Sequence, residues 1–128
     1  RFYEAGRSSA ARSMHLCGDA QRLLPMIARE LGVTSFDTGF PIDHGALRDA
    51  LGESVEVFGG PEIQLLLGGT PEAVHRRTGE ILGSGICRGS RFILKEANNL
   101  PPGVPPENLE AMYLACLEHG ARHSTEDA

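Results

Sequence analysis

The chain has 128 residues and a mass of 13.7 kDa, room for one domain. With 41% hydrophobic and 23% charged residues it is an ordinary globular composition, which excludes a fibrous or wholly disordered polymer. Its 12 basic and 17 acidic residues give a net charge of −5 and form no basic stripe, so nucleic-acid binding has no electrostatic footprint.

Residues 12–17 form the first predicted strand, with Met14 and Leu16 on one face and Ser13, His15 and Cys17 on the other. Gly18 ends it, and Asp19 is placed to cap the next helix. Leu23, Leu24, Ile27 and Leu31 then recur at helical spacing up to Gly32. Pro25 fits only the first turn, so the helix begins just before it. Residues 33–37 read as the second strand. Asp43 caps a short helix carrying Leu47 and Leu51, closed by Gly52. Residues 55–58 form the third strand and 63–67 a short apolar turn. Thr70, Pro71 and Glu72 are a strong helix start, and the helix runs through Val74, Ile81 and Leu82. Residues 91–94 are the fourth strand, and 98–106 a proline-rich loop. The last predicted helix spans 106–119, with Leu109, Met112, Tyr113, Cys116 and Leu117 as its apolar stripe. Gly120 ends it, and 124–128 form a loose tail.

Strand and helix thus alternate with short connections, the signature of an α/β fold with a parallel sheet and helical crossovers. Four such units are half of a (β/α)8 barrel, or a small open sheet. No GxGxxG follows a strand, so a dinucleotide fold has no support. No apolar run reaches the roughly 20 residues of a membrane helix. The opening Arg1-Phe2-Tyr3-Glu4 lacks the apolar core of a secretory leader. The cysteines are three, odd in number and widely spaced, which argues for a reducing, cytoplasmic setting.

Ligands of such folds gather at the carboxyl ends of the strands. That directs attention to His15, Cys17, Asp19, Asp37, Gly59, Gly60 and the stretch from Lys95 to Asn99. His15 and Cys17 share one strand face, so an imidazole nitrogen and a thiol sulfur converge, a pairing that suits zinc. Spacing alone favours a hydrogen-bonded histidine beside a buried cysteine. A zinc site needs a further ligand. Cys87 lies at the opposite end of the sheet and Cys116 on the last helix's apolar stripe. Glu96 is on the correct side, and otherwise is a loop acid paired with Lys95 or Arg91. Asp37 would orient a ligand histidine or serve as a turn cap. Asn98 and Asn99 fit either ligand binding or a turn. His44, His75, His119 and His123 are placed on helix surfaces or the tail.

Several motifs, in order, resemble the C-terminal half of the uroporphyrinogen decarboxylase superfamily. They are His15-Leu16-Cys17-Gly18-Asp19, Phe36-Asp37, Phe40-Pro41-Ile42-Asp43, Gly68-Gly69-Thr70-Pro71-Glu72, Arg91-Phe92-Ile93-Leu94, Asn98-Asn99-Leu100-Pro101-Pro102 and Pro105-Pro106-Glu107-Asn108. The resemblance implies a TIM-type (β/α)8 barrel of which this chain supplies four units, as a piece of a larger protein or a natural half. One branch of the superfamily decarboxylates a tetrapyrrole without a metal. The other uses zinc to pass a methyl group from a corrinoid protein to a thiol acceptor. His15 and Cys17 match the first two zinc ligands of the methyltransferase branch, whose third is a cysteine in the loop after the last strand. This chain has Glu96-Ala97-Asn98-Asn99 there, so Glu96 is the expected third metal ligand. Asp37 and Glu96 are the expected catalytic groups, and Asn98 and Asn99 the cofactor-binding ones. The decarboxylase branch's histidine in this loop is also absent. An isolated half barrel would leave two open sheet edges and an apolar inner face, so a partner is expected, a second copy or the other half barrel.

Overall fold

The computed structural model describes residues 10–126. Four parallel strands, β1 (Ser13–Leu16), β2 (Ser35–Thr38), β3 (Glu56–Gly59) and β4 (Phe92–Leu94), stand in sequence order across one sheet. Helices carry each crossover: α1 (Leu24–Leu31), α2 (His44–Leu51), then α3 (Ile63–Gly68) and α4 (Pro71–Ile81). The final helix, α5 (Pro106–Glu126), follows β4. This is the parallel β/α architecture that the alternation predicts, the wall of half a TIM-type barrel. Among the described residues β1 and β4 each have one strand neighbour, leaving two open edges.

The register puts Met14, Phe36, Val57 and Phe92 in one row across the sheet. That row faces the helices and packs with Leu24, Val33, Leu47, Ile81 and Ile86 in the main core. Burying such side chains is what holds a strand against its crossover helix; removing Phe36, which is fully buried, would cost about 3–5 kcal/mol. The opposite face carries the alternate residues. Ser13, His15, Ser35, Asp37, Glu56, Phe58 and Lys95 line a cavity of about 700 Å³ there. The expectation of an apolar inner face is therefore corrected in part. The two-residue period puts polar residues on the inner side of β1 and β2, beside the apolar Phe58 of β3 and Ile93 of β4.

The predicted caps at Asp43 and Thr70 are present. Asp43 accepts from the Ala46 amide at 3.0 Å and Thr70 from the Ala73 amide at 3.2 Å. Gly32 ends α1 with φ 64°, a conformation that suits glycine. Other local expectations are revised. Asp19 caps nothing, because the turn Gln21–Leu23 starts from Ala20 without a side-chain bond. Residues 63–67 belong to a helix, not a turn. Helix α5 runs through Gly120 to Glu126, so Ser124 is helical. Asp127 and Ala128, like Arg1, Phe2, Tyr3 and Glu4, lie outside the described residues.

The buried face of α5 is Asn108, Ala111 and Ala115, while Tyr113 and Leu117 of the predicted stripe are more than half exposed. Small alanines let α5 close on α4, which a search for large apolar residues overlooks. Asn108 fixes the rotation by donating to the carbonyls of Leu66 at 2.8 Å and Gly69 at 3.0 Å. At the opposite end of the sheet from Cys17, the buried Arg48 donates to the carbonyls of Gly52, Val55, Ile86 and Arg91. It thereby ties α2 to the segments that start β3 and β4. Among the described residues no helix is long and apolar enough to cross a membrane.

Candidate metal centre

His15 sits directly opposite Asp37 in the β1–β2 register, and both point into the cavity. His15 Nδ1 lies 2.9 Å from Asp37 Oδ2. The carboxylate can only accept, so the hydrogen-bond network assigns the proton to Nδ1 and leaves a lone pair on Nε2. Nε2 lies 2.8 Å from the Cys17 sulfur, two residues along the same strand face. The chain of contacts extends both ways. Lys95 Nζ donates to Asp37 Oδ1 at 3.1 Å and to Oδ2 at 3.2 Å. Asn98 Oδ1 lies 3.4 Å from the Cys17 sulfur, so Nε2 and Oδ1 are alternative acceptors of the thiol's one proton.

Two glycines bring these groups together. A Cβ at Gly39, just past β2, would stand 2.9 Å from Cys17 Cα, so only glycine lets the β2 end press against the cysteine. A Cβ at Gly60, just past β3, would overlap the Lys95 carbonyl. The Lys95 amide donates to Gly59 O at 2.9 Å and the Ala97 amide to Pro61 O at 3.0 Å. These bonds draw the segment after β4 onto the end of β3 and set Lys95 and Asn98 over the site.

The structure brings together His15, Cys17, Asp37 and Asn98 of the residues singled out from sequence. Cys17 is exposed, so it is not the buried cysteine that the spacing favoured, while His15 is hydrogen-bonded as that reading had it. Glu96 lies against Lys95, 3.6 Å from Nζ, the ion pair that was the alternative to metal ligation. Among the described residues no three His, Cys, Asp or Glu side chains assemble as a metal-sized cluster, so Glu96 does not complete a set with His15 and Cys17. Asn99 and Asp19 are exposed. Lys95, singled out within the stretch after β4 and as a partner for Glu96 only, pairs with Asp37: it lies two residues after Ile93, on the inner face by strand alternation.

On the helix side of the same end, beside Gly59, His44 corrects its surface placement. It is 5% exposed, with its ring edge-on to Phe92 at 6.1 Å between centroids. Burial, and secondarily the Arg77 guanidinium, push its pKa down to about 4. Beneath it, Arg77 and Glu62 form a forked ion pair, with Arg77 Nη2 2.7 Å from Glu62 Oε1. Burial works to raise the Glu62 carboxyl, but the hydrogen bonds from Arg77 outweigh it and hold it below its usual range. Cys87 is half-buried, and burial, with Cys116 adding, pushes its thiol up.

The end of β1 supplies two donors of the kind zinc takes, one fewer than the three protein ligands of a catalytic zinc. A neutral imidazole nitrogen and a thiol sulfur converge, and the second imidazole nitrogen donates to a carboxylate, the arrangement that orients metal-bound histidines. The Lys95 ammonium balances the charge of Asp37.

Comparison with known proteins agrees with this reading of the fold. The family model for uroporphyrinogen decarboxylase matches residues 2–119. A methylated-thiol–coenzyme M methyltransferase of Methanosarcina mazei is 35% identical over 112 residues, which is 86% of this chain and 28% of that protein. Among solved structures, a methyltransferase from Methanosarcina mazei superimposes with a TM-score of 0.68 at 20% identity, over 86% of this chain and 32% of that one. The last likeness is one of fold. Since the family model covers nearly all of the sequence, the chain belongs to the uroporphyrinogen decarboxylase family.

Proposed function

We propose that this chain carries the metal-holding half of a methyl-transfer site of the zinc-dependent type, in which a methyl group passes from a corrinoid on a partner protein to a thiol acceptor. The observation that carries this reading is the contact of His15 Nε2 with Cys17 Sγ, backed by Asp37 on His15 Nδ1. The relative at 35% identity, whose name specifies a methylated thiol, supports the same class. A zinc ion held there would act as a Lewis acid that lowers the pKa of an acceptor thiol. His15 and Cys17 would hold the metal. Asp37 keeps the His15 proton on Nδ1, so that Nε2 faces the ion. Lys95 keeps Asp37 in place and compensates its charge. The inner cavity, with both polar and apolar walls, receives the acceptor beside these groups.

The chain spans 28% of the relative's length, so the complete activity, with its donor and acceptor, belongs to this proposal. The two open sheet edges support a partner that closes the barrel, either the other half barrel or a second copy, and the exposed Tyr113, Leu114 and Leu117 on α5 offer it apolar surface. A monodisperse monomer in light scattering would count against the partner. Three free cysteines support a reducing, cytoplasmic setting.

The family's name favours a second reading, decarboxylation of a tetrapyrrole without metal. The two are separated by binding. The methyl-transfer reading expects the purified protein to take up one zinc ion, to lose it in Cys17→Ser and to lack affinity for a porphyrinogen. Tight porphyrinogen binding by metal-free protein would replace it with the second.

A further inference from the structure

His44 is a buried polar group that the methyl-transfer reading does not use. It is 5% exposed, its ring meets Phe92 edge-on, and it makes no hydrogen bond to any described residue. A buried polar ring without a partner is costly, and native folds rarely keep one without a reason. The ring lines a second cavity, of about 450 Å³, on the helix side of the sheet between α2 and α4. Ile42 and Ile81 give this cavity an apolar wall, and Asp43, Arg77 and Glu80 give it charge.

The charges decide what the cavity can hold. Asp43 and Glu80 line it, and Glu62 acts on the same histidine, against the single cation Arg77. Arg77 is already engaged, since its fork holds Glu62 and Nη1 lies 3.6 Å from Glu80. A carboxylate or phosphate would meet net negative charge and no vacant fork. A bare metal ion is also a poor fit, because among the described residues no three His, Cys, Asp or Glu side chains gather at metal-binding size. A larger cation that donates hydrogen bonds suits these walls. Asp43 uses Oδ1 on the Ala46 amide, which leaves Oδ2 as an acceptor. Burial, with Arg77 adding, keeps the His44 ring neutral at ordinary pH, so one ring nitrogen carries a lone pair.

We propose that this cavity binds a small alkylammonium ion. Its nitrogen donates to the His44 ring and to the carboxylates of Asp43 and Glu80, and its chain lies against Ile42 and Ile81. The site lies across the sheet from His15 and Cys17 and does not rest on the zinc reading. The cavity has more room than a single lysine stem fills, which favours a small amine over a lysine side chain from a partner protein.

The test is a titration of the purified chain with n-butylammonium, followed by calorimetry and by the ring resonances of His44. Pentanol serves as the uncharged counterpart of similar length. Saturable binding is expected, with movement of the His44 resonances, and pentanol should bind at least tenfold more weakly. His44→Phe keeps the ring volume and removes the acceptor, so affinity should fall about tenfold. Glu80→Gln, at the exposed rim, should weaken binding about threefold and carries the test if the first variant is not folded by circular dichroism. Equal affinity for pentanol would overturn the proposal and leave an apolar cleft. Native affinity in the folded variants, or no saturable binding by the folded native chain, would also overturn it. Tighter binding of a single-lysine peptide than of butylammonium would replace the small amine with a partner's lysine.

Discussion

Asp37 Oδ2 stands 2.9 Å from His15 Nδ1, across one register pair of two parallel strands. The pair fixes which imidazole nitrogen faces Cys17, and so it sets the chemistry available at the end of β1. Replacing Asp37 with Ala should leave His15 and Cys17 in place but release the imidazole ring. Zinc affinity should fall about 10–100-fold, as it does when such orienting carboxylates are removed. A competition titration against a chromophoric chelator measures it, and native affinity in the variant would show that His15 is held by something else.

Gly60 should be intolerant, because a Cβ there overlaps the Lys95 carbonyl. Gly60→Ala must push the segment after β4 away from β3, and Lys95 and Asn98 with it. Loss of stability of about 2 kcal/mol, together with weaker metal binding, is expected from urea unfolding and titration. Gly79→Ala is the contrast. Gly79 lies inside α4 with nothing within 4 Å of the added carbon, so the substitution should stabilise by up to about 1 kcal/mol through helix propensity.

Arg48→Met keeps an extended side chain but removes the donors to four carbonyl groups. Those carbonyls would lose their partners where β3 and β4 begin. A cost of about 4 kcal/mol is expected, most of the stability of a small domain at the low end of the ordinary range. Thermal unfolding followed by circular dichroism tests it, and a native melting temperature would show that water replaces the guanidinium freely.

His44 gives the fold a defined acid limit. Its pKa is about 4 in the folded chain, below the ordinary 6.5, because burial disfavours the charged ring. The unfolded chain therefore binds the proton first as pH falls. The stabilisation is complete above about pH 6.5 and is lost between there and pH 4, amounting to about 3 kcal/mol. Urea midpoints taken from pH 7 to pH 4.5 should fall accordingly, and His44→Leu should flatten the dependence. An equally steep fall in that variant would assign the effect to other groups.

The strand order and the outer face were legible because alternation at Met14, Leu16 and Phe36 is unambiguous. That His15 and Cys17 share a face followed from two-residue spacing, although spacing alone favoured a buried cysteine there. What the spacing could not show is how far a strand end is drawn across by glycine. Gly60 places Lys95 on Asp37, and the same segment delivers Asn98 rather than Glu96 to the thiol. Nor could it show the face of α5, where Asn108 and two alanines are buried in preference to Tyr113 and Leu117. Close packing of small residues carries no hydrophobic signal. His44 was misplaced for a related reason: its burial depends on Phe92 and Arg77, which come from distant parts of the chain.

The most direct test of the account is the metal content of the purified protein, read by mass spectrometry after exposure to zinc and removal of free ions. The account predicts about one zinc per chain, lost when Cys17 is changed to Ser. A folded protein that retains no zinc, or one whose zinc survives the loss of both His15 and Cys17, would contradict it.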